Sequence, residues 1–452
     1  MVKVSFFGAA GEVTGSNFLI ETDQHKYIVD CGLFQGADAW TEHNDEPFSY
    51  APNEVEAVIV THAHLDHVGR LPKLVAEGYR GPIFGTRATL ELTTLVLKDA
   101  YDLSERRHER DGKPLLFTEV DLRRTLELFQ AIPYHQRHAL LGDDGVTLYD
   151  AGHILGSSTV HLEAGGKKIV FSGDIGHAPN ILLPQPEDDF AADAVVMEGT
   201  YGGREREDKE DRLAVLKESV EWVIQRRGVL LIPAFSIERS QELLYMFNLL
   251  FNKHQLPRIP IYLDSPLAIE ALQVFERHQE LYKKEVQQVR KTDQDIFDFN
   301  GLVLAASVED SKSINEQAPP KVILAGSGMM DGGRIHHHLK RYLSWPNTYL
   351  LVVGYQAQGT LGSEILQGND HVTIMNEKIA VRAKIVKAEV FSGHADNSEL
   401  LDWIGGIRLS ENAKVLIVHA DAERTPLFIE NIKHVLPNVT VQAPELGQAI
   451  EL

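Results

Sequence analysis

Residues 61–67 read THAHLDH, three imidazoles and a carboxylate packed into one short stretch directly after the apolar, β-branched run Val55–Val60. On a helix, positions 62, 64 and 66 would point in different directions. In an extended loop alternate residues share a face, so His62 and His64 can reach one ion, and Asp66 and His67, at the start of a following helix, a second. Neutral imidazole and carboxylate suit a borderline divalent cation such as zinc, held at about 2.0–2.2 Å. Manganese is served by the same donor types. Any one of these histidines alone would read as structural; the four residues together read as metal ligands.

Four ligands are too few for two cations, and three more polar residues stand at the ends of apolar runs. Asp150-Ala-Gly-His153 follows one strand-like run, Ser172-Gly-Asp174 another, and Val415–Val418 leads straight into His419. A carboxylate has two acceptor oxygens, so Asp174 can bridge. Asp30, ending Tyr27–Val29, fits a supporting acceptor for a ligand histidine. Taken alone, His153 or His419 is an ordinary turn or core histidine; beside the 61–67 loop each becomes a candidate ligand. Two cations about 3.5–4 Å apart clamp a hydroxide nucleophile and stabilise the charged oxygens of a phosphoryl displacement.

The rest of the chain bounds this reading. Its 452 residues suffice for two or three domains. The single cysteine, Cys31, excludes an intrachain disulfide and makes the cytoplasm the default compartment. No run of about 18 apolar residues exists, so no membrane partner is expected. The N-terminus reaches Glu12 without a signal peptide's apolar centre. A net charge of −21 excludes global attraction to phosphate backbones or anionic lipid, though not a local basic groove. A serine hydrolase would need a GxSxG elbow, and neither GSSTVH nor FSIERS supplies one.

Periodicity divides the chain. Short strands are expected at Lys3–Gly8, Ser16–Glu21, Tyr27–Asp30 and Val55–Thr61, with helices over 65–78, Thr86–Asp111 and Asp121–Gln130. Strands return at Val146–Asp150, Ser158–Glu163, Lys168–Ser172 and Ala194–Glu198. After a charged run at Arg204–Arg212, apolar runs alternate with amphipathic ones: Val229–Pro233, Glu238–Asn252, Ile259–Leu263, Pro266–His278, Val322–Ala325, Ile335–Leu343 and Tyr349–Val353. That rhythm indicates βαβ units on a parallel sheet. Gln279–Phe299 is helical in composition. Lys387–Phe391 reads as a strand that returns the chain to its first domain.

DCG at 30–32, HAHLDH, GHILGSS, SGD and SGHAD, in that order, form the pattern of the metallo-β-lactamase superfamily. MEGTYG and SGHAD narrow it: over essentially its whole length the chain resembles the β-CASP ribonucleases, such as ribonuclease J and the nuclease subunit of the cleavage and polyadenylation specificity factor. The resemblance implies an α/β fold, a metallo-β-lactamase αβ/βα sandwich with an inserted β-CASP α/β domain, divided as 1–204, 205–388 and 389–452. It implies two zinc ions, the first on His62, His64, His153 and Asp174, the second on Asp66, His67, the bridging Asp174 and His419. It makes Asp66, Asp30, Glu198 and His394 the catalytic set. Asp30 supports a ligand, Glu198 orients a neighbour, and His394 stands near the leaving group as general acid or phosphate contact. Asp396 joins Glu198 as a candidate to orient His394. The activity implied is hydrolysis of single-stranded RNA by a two-metal-activated hydroxide, leaving a 5′-phosphate. Cutting inside the strand or from its 5′ end stays open, as does a homodimer. The alternatives are a hydrolase of this fold acting on DNA, a phosphonate or a thioester, and a non-catalytic nucleic-acid scaffold. Seven intact ligands argue against the scaffold.

Departures from the family pattern are few. Gly199 stands where a serine is usual, Ala420 where a glycine usually follows the histidine, and Ser363 where an arginine is common. Candidate substrate contacts lie in the inserted domain. Glycines in GSGMMDGGR let a backbone approach a phosphate, which makes Ser327, Gly328 and Arg334 candidates. Ser236, also a fitting helix N-cap, and Tyr355, a stacking surface, complete the set. The adjoining His336, His337 and His338 point apart on a helix, which argues against a shared metal there.

Overall fold

The computed structural model describes residues 1–36, 43–206, 211–356 and 359–452. The charged run Arg204–Arg212 and the segment following Tyr355 therefore lie partly outside the described residues. The chain forms two compact units, Met1–Glu205 with His394–Leu452, and Arg206–Gly393.

In the first unit two seven-stranded sheets face each other. One runs, edge to edge, Ala449–Glu451, Lys3–Phe6, Phe18–Glu21, Lys26–Val29, Ala57–Ile59, Ile83–Gly85 and Phe129–Ala131. The other runs Thr440–Gln442, Arg408–Ala420, Ala191–Gly199, Lys167–Phe171, Ser158–Ala164, Gly145–Asp150 and His138–Ala139. Their facing side chains, Phe6 and Phe18 from one sheet and Phe171, Val196 and Leu416 from the other, make one core. Phe18 stacks on Phe171 with ring centroids 5.9 Å apart. Each such buried side chain contributes about 1.5–3 kcal/mol. The outer face of the second sheet, through Val195, Met197 and Ile417, packs on Leu400, Trp403 and Phe428 of the helices Asn397–Gly406 and Thr425–Val435. Outside the first sheet run the helices Leu71–Ala76, Arg87–Asp111 and Glu119–Glu127. Arg87–Asp111 begins at an N-cap, Thr86, whose hydroxyl accepts from Thr89 N.

The second unit is built on a six-stranded parallel sheet in the order Leu302–Leu304, Ile261–Asp264, Lys321–Ala325, Val229–Pro233, Thr348–Val352, Lys384–Lys387. Its central strands are apolar along their middles, as a sheet covered on both faces requires, with Asp264, Lys321 and Thr348 at strand ends, and every residue of Val229–Pro233 is buried. A two-stranded hairpin, His371–Ile374 with Glu377–Ala380, is separate from it.

Several expected elements change. The helix over 65–78 is two short helices, Leu65–Val68 and Leu71–Ala76, and the end of Asp121–Gln130 is recruited into the edge strand Phe129–Ala131. Gln279–Phe299 holds only a 3-10 turn and the short helix Lys284–Val289 among its described elements. Lys387–Phe391 is not a strand of the first unit. Lys384–Lys387 pairs with Tyr349–Val352 in the second unit's sheet, and Glu389–Phe391 is a 3-10 turn. Its apolar residues fill a corner rather than a ladder.

Candidate metal centre

The site grows from strand ends of the first unit. Asp30 follows Lys26–Val29 in the left-handed conformation and is fully buried. Its Oδ1 accepts Thr61 N at 2.8 Å, and its Oδ2 accepts the Thr61 hydroxyl and His67 Nδ1, each at 2.8 Å. That contact places a His67 proton on Nδ1 and turns Nε2 toward the cluster. Gly32 of the DCG motif has no room for a Cβ: one built there would lie 1.6 Å from Asp66 O. Asp66 can cross at that distance only because residue 32 is a glycine. Gly173 is left-handed, and a Cβ there would meet the Thr61 side chain at 2.9 Å, so the end of Lys167–Phe171 comes close against the 61–67 loop.

Asp174, 2% exposed, stands between two groups of donors. Its Oδ2 lies 3.4 Å from His62 Nε2 and 3.6 Å from His153 Nε2. Its Oδ1 lies 3.3 Å from His67 Nε2 and 3.8 Å from His419 Nδ1. His64 Nδ1 is 3.1 Å from His62 Nε2 and 3.2 Å from His153 Nε2. His419 Nε2 is 3.3 Å from Asp66 Oδ2. Thus His62, His64, His153 and Asp174 form one group, and Asp66, His67 and His419 another, whose ligand atoms in each case lie within 4.8 Å of one another.

Two observations test whether a cation fits. His67 Nε2 and Asp174 Oδ1 are buried without a hydrogen-bond partner, a costly state for acceptors that nothing in the protein satisfies. Burial also drives the His62 ring down to about 4 and the His64 ring to about 3, and lowers His153 well below the usual range, with neighbouring imidazoles adding to the fall. Neutral imidazoles whose nitrogens converge cannot all donate to one another; a shared cation satisfies all of them. His67 and His419 go the other way: burial lowers them, but the Asp174 charge, with Asp30 or Asp66, more than compensates.

His419 arrives by a bulge. Glu198 pairs with Val418 and Gly199 with Ala420, which leaves His419 as the extra residue, left-handed, its N–H donated to Ala9 O at 2.7 Å. The Thr200 hydroxyl lies 2.9 Å from His419 Nδ1. Two departures from the family pattern meet in this ladder. A Cβ on Gly199 would stand 3.0 Å from the Ala420 methyl. Glycine at 199 therefore makes the room that alanine at 420 takes.

His394 Nδ1 lies 3.4 Å from Glu198 Oε1 and 3.9 Å from Asp174 Oδ2. Burial opposes its charge, yet Glu198 and Asp174 hold the ring at about 9. Glu198 Oε1 also accepts Ile175 N at 2.6 Å, and Oε2 accepts Thr200 N at 3.2 Å. Asp396 is the N-cap of Asn397–Gly406, its carboxylate accepting Glu399 N. Two residues not singled out from the sequence contact the site, Thr61 and Thr200, and a third, Glu399, lies behind it. For Glu399 a signal existed, the D-x-x-E capping box of Asp396-Asn-Ser-Glu399.

The second unit gathers the substrate candidates at the carboxyl ends of its sheet, where open α/β sheets bind ligands. Ser236 Oγ lies 3.0 Å from Ser265 Oγ. Ser236 does not cap the next helix; Glu238 precedes Arg239–Asn252 without a side-chain cap. The Ser327 hydroxyl accepts Asp331 N at 3.0 Å and closes its own loop. A Cβ on Gly328 would stand 2.8 Å from the Phe235 ring, so that ring packs on the loop, while Tyr355 is exposed. Arg334 turns inward: its guanidinium donates to Asp264 Oδ1 at 2.6 Å, Ala305 O at 2.6 Å and Ala306 O at 2.8 Å. His336 and His338 reach Met330 O and Asp264, in separate directions.

The family model described as the metallo-beta-lactamase superfamily matches residues 10–216, the Beta-Casp domain 240–365, and the Zn-dependent metallo-hydrolase RNA specificity domain 378–443. Ribonuclease TTHA0252 of Thermus thermophilus is 41% identical over 94% of both chains. An RNase J-like protein of Methanocaldococcus jannaschii is 30% identical over 96% of both. The transcription termination factor FttA of Methanosarcina mazei is 31% identical over 89% of this chain and 64% of its own. A crystal structure of a protein of unknown function from Enterococcus faecalis V583 aligns over 100% of both chains at a TM-score of 0.53 and 11% identity, a likeness of fold alone.

Proposed function

The chain belongs to the β-CASP ribonucleases of the metallo-β-lactamase superfamily, metal-dependent hydrolases, and from that premise we propose that it cleaves single-stranded RNA in the cytoplasm at the His/Asp cluster of its first unit. The observation that carries this reading is Asp174, whose two oxygens face two separate donor groups. His62, His64, His153 and Asp174 would hold one divalent cation, and Asp66, His67, Asp174 and His419 the second. Zinc fits the donor set, and manganese is the other cation it serves. Bound there, the cations supply Lewis acidity, acidifying water and countering charge on the phosphate.

The protein's own groups do the rest. Asp30 keeps the His67 proton on Nδ1, and the Thr200 hydroxyl orients His419. Water adds to phosphorus as the bond to the 3′-oxygen breaks, and His394, paired with Glu198, gives that oxygen its proton. The products are a 5′-phosphate and a free 3′-hydroxyl. Ser236, the Ser327–Gly328 backbone and the Tyr355 ring are the proposed contacts to the RNA chain. Arg334, engaged by Asp264, shapes its loop rather than meeting a phosphate. In a chain of net charge −21 binding should be weak at high salt.

The test incubates metal-replete protein at low salt with 5′- and 3′-labelled single-stranded RNA, single-stranded DNA and a thioester, beside His64→Ala. RNA cleavage that His64→Ala abolishes is the expected result, and the two labels separate internal from terminal cutting. Undiminished cleavage by metal-depleted His64→Ala would overturn the mechanism.

A further inference from the structure

Glu399 lies five residues beyond His394, and its carboxylate does more than a capping box asks. Its Oε2 accepts Asp396 N at 2.9 Å, the usual reach of an N3 acid back to the N-cap amide. Its Oε1 accepts two further donors from a segment 222 residues away in sequence: His177 Nδ1 at 2.8 Å and Ala178 N at 3.0 Å. That second segment is the one that follows Asp174.

Between these bonds the two segments are stitched together. Ala395 N donates to Ile175 O at 2.9 Å, and Gly176 and His394 form an antiparallel bridge. Glu198 closes one end of the stitch through Ile175 N, and Glu399 closes the other. The separation of His394 from Asp174, 3.9 Å between Nδ1 and Oδ2, is set by this short ladder. Glu399 itself touches neither group. It is 23% exposed at the side chain, and its partner His177 is 11% exposed.

We infer that Glu399 is a positioning residue for the reaction: by tying the segment after Asp174 to the segment after His394, it fixes where the proton-donating imidazole stands relative to the cluster. The inference rests on the reading of His394 as the donor to the leaving oxygen. A displacement on the order of 1 Å at a reacting group costs up to about a hundredfold in rate. A residue that merely holds the helix would instead lower stability without selecting among substrates.

Leaving-group chemistry separates the two. RNA departs as a 3′-alkoxide that needs a proton; bis(p-nitrophenyl) phosphate departs as a phenolate that does not. Glu399→Gln is compared with the unsubstituted protein on both substrates, well below the melting temperature, with metal content measured on each sample. His177→Ala is the second variant; it removes the side-chain half of the tie between segments, keeps the Ala178 N bond and leaves the capping box whole. The expected result for both is a kcat on RNA reduced about ten- to a hundredfold, with KM, metal content and the activated ester changed less than about threefold. Equal losses on the two substrates, or an unchanged kcat on RNA, overturn the inference. Unsubstituted protein that leaves RNA intact sinks the underlying ribonuclease reading instead.

Discussion

Each unit buries an aspartate among imidazoles at the end of a strand, and the two aspartates are met differently. Asp264 in the second unit, fully buried, is saturated by protein donors: Arg334 at 2.6 Å on Oδ1, and His338 at 2.7 Å and the Ser311 hydroxyl at 2.6 Å on Oδ2. Burial raises its pKa, and these donors bring it below the usual carboxylate range. Asp174 in the first unit, also buried, has an oxygen with no hydrogen-bond partner, 3.3 Å from His67 Nε2 and 3.8 Å from His419 Nδ1. His338 Nδ1 also lacks a partner, but no second or third ligand atom converges on it among the described residues. A satisfied carboxylate is a structural keystone. An unsatisfied one, ringed by converging ligand atoms, is a candidate socket for a cation.

The contrast breaks most readily at Asp174. Asp174→Asn should lose bound metal and drop RNA cleavage to background, while its melting temperature in a chelator stays near that of the unsubstituted protein. Metal analysis and calorimetry read the two, and an asparagine variant that holds two equivalents of metal ends the contrast. Asp264→Ala should do the reverse. Stripping a buried cation of its partner costs about 3–5 kcal/mol, so urea unfolding should move to lower concentration while metal content is kept. The smallest effect concerns a buried cation met only halfway. Lys321, 1% exposed, donates to Ile314 O and to Gln317 O, at 2.5 and 2.8 Å, and burial, reinforced by Arg341, holds it at about 8. Its folded value lies below the unfolded 10.5. Between those values the unfolded chain binds more protons, so stability should rise as pH climbs from about 8 to 10.5. Lys321→Met should flatten that rise by on the order of 2 kcal/mol, seen as urea midpoints at pH 7 and 9.5.

The same asymmetry explains what was legible in the sequence. The 61–67 loop, Asp174, Glu198 and His419 announce themselves because polar residues there interrupt apolar runs. The sheet of the second unit is readable because its central strands are uninterrupted runs. Arg334 reads as a phosphate contact because it follows glycines, and its bond to Asp264, 70 residues away, is invisible to spacing. Glu399 went unremarked because two of its partners, His177 and Ala178, lie more than two hundred residues away. Gly199 and Ala420 read as unrelated departures until the ladder set them face to face. Gln279–Phe299 has a helical composition but little helix, since length and polarity without a sustained apolar face do not nucleate one.

The interrupted first unit has a consequence for how the molecule is born. His62, His64, Asp66, His67, His153 and Asp174 leave the ribosome early, whereas His419 follows only after more than two hundred further residues, the whole of the second unit among them. The long strand Arg408–Ala420 that carries it slots beside Ala191–Gly199, and the N–H of His419 caps Ala9 O near the other terminus. A nascent chain, tethered to messenger and ribosomal RNA alike, would thus lack this proposed ligand until Arg408–Ala420 has been made and has paired.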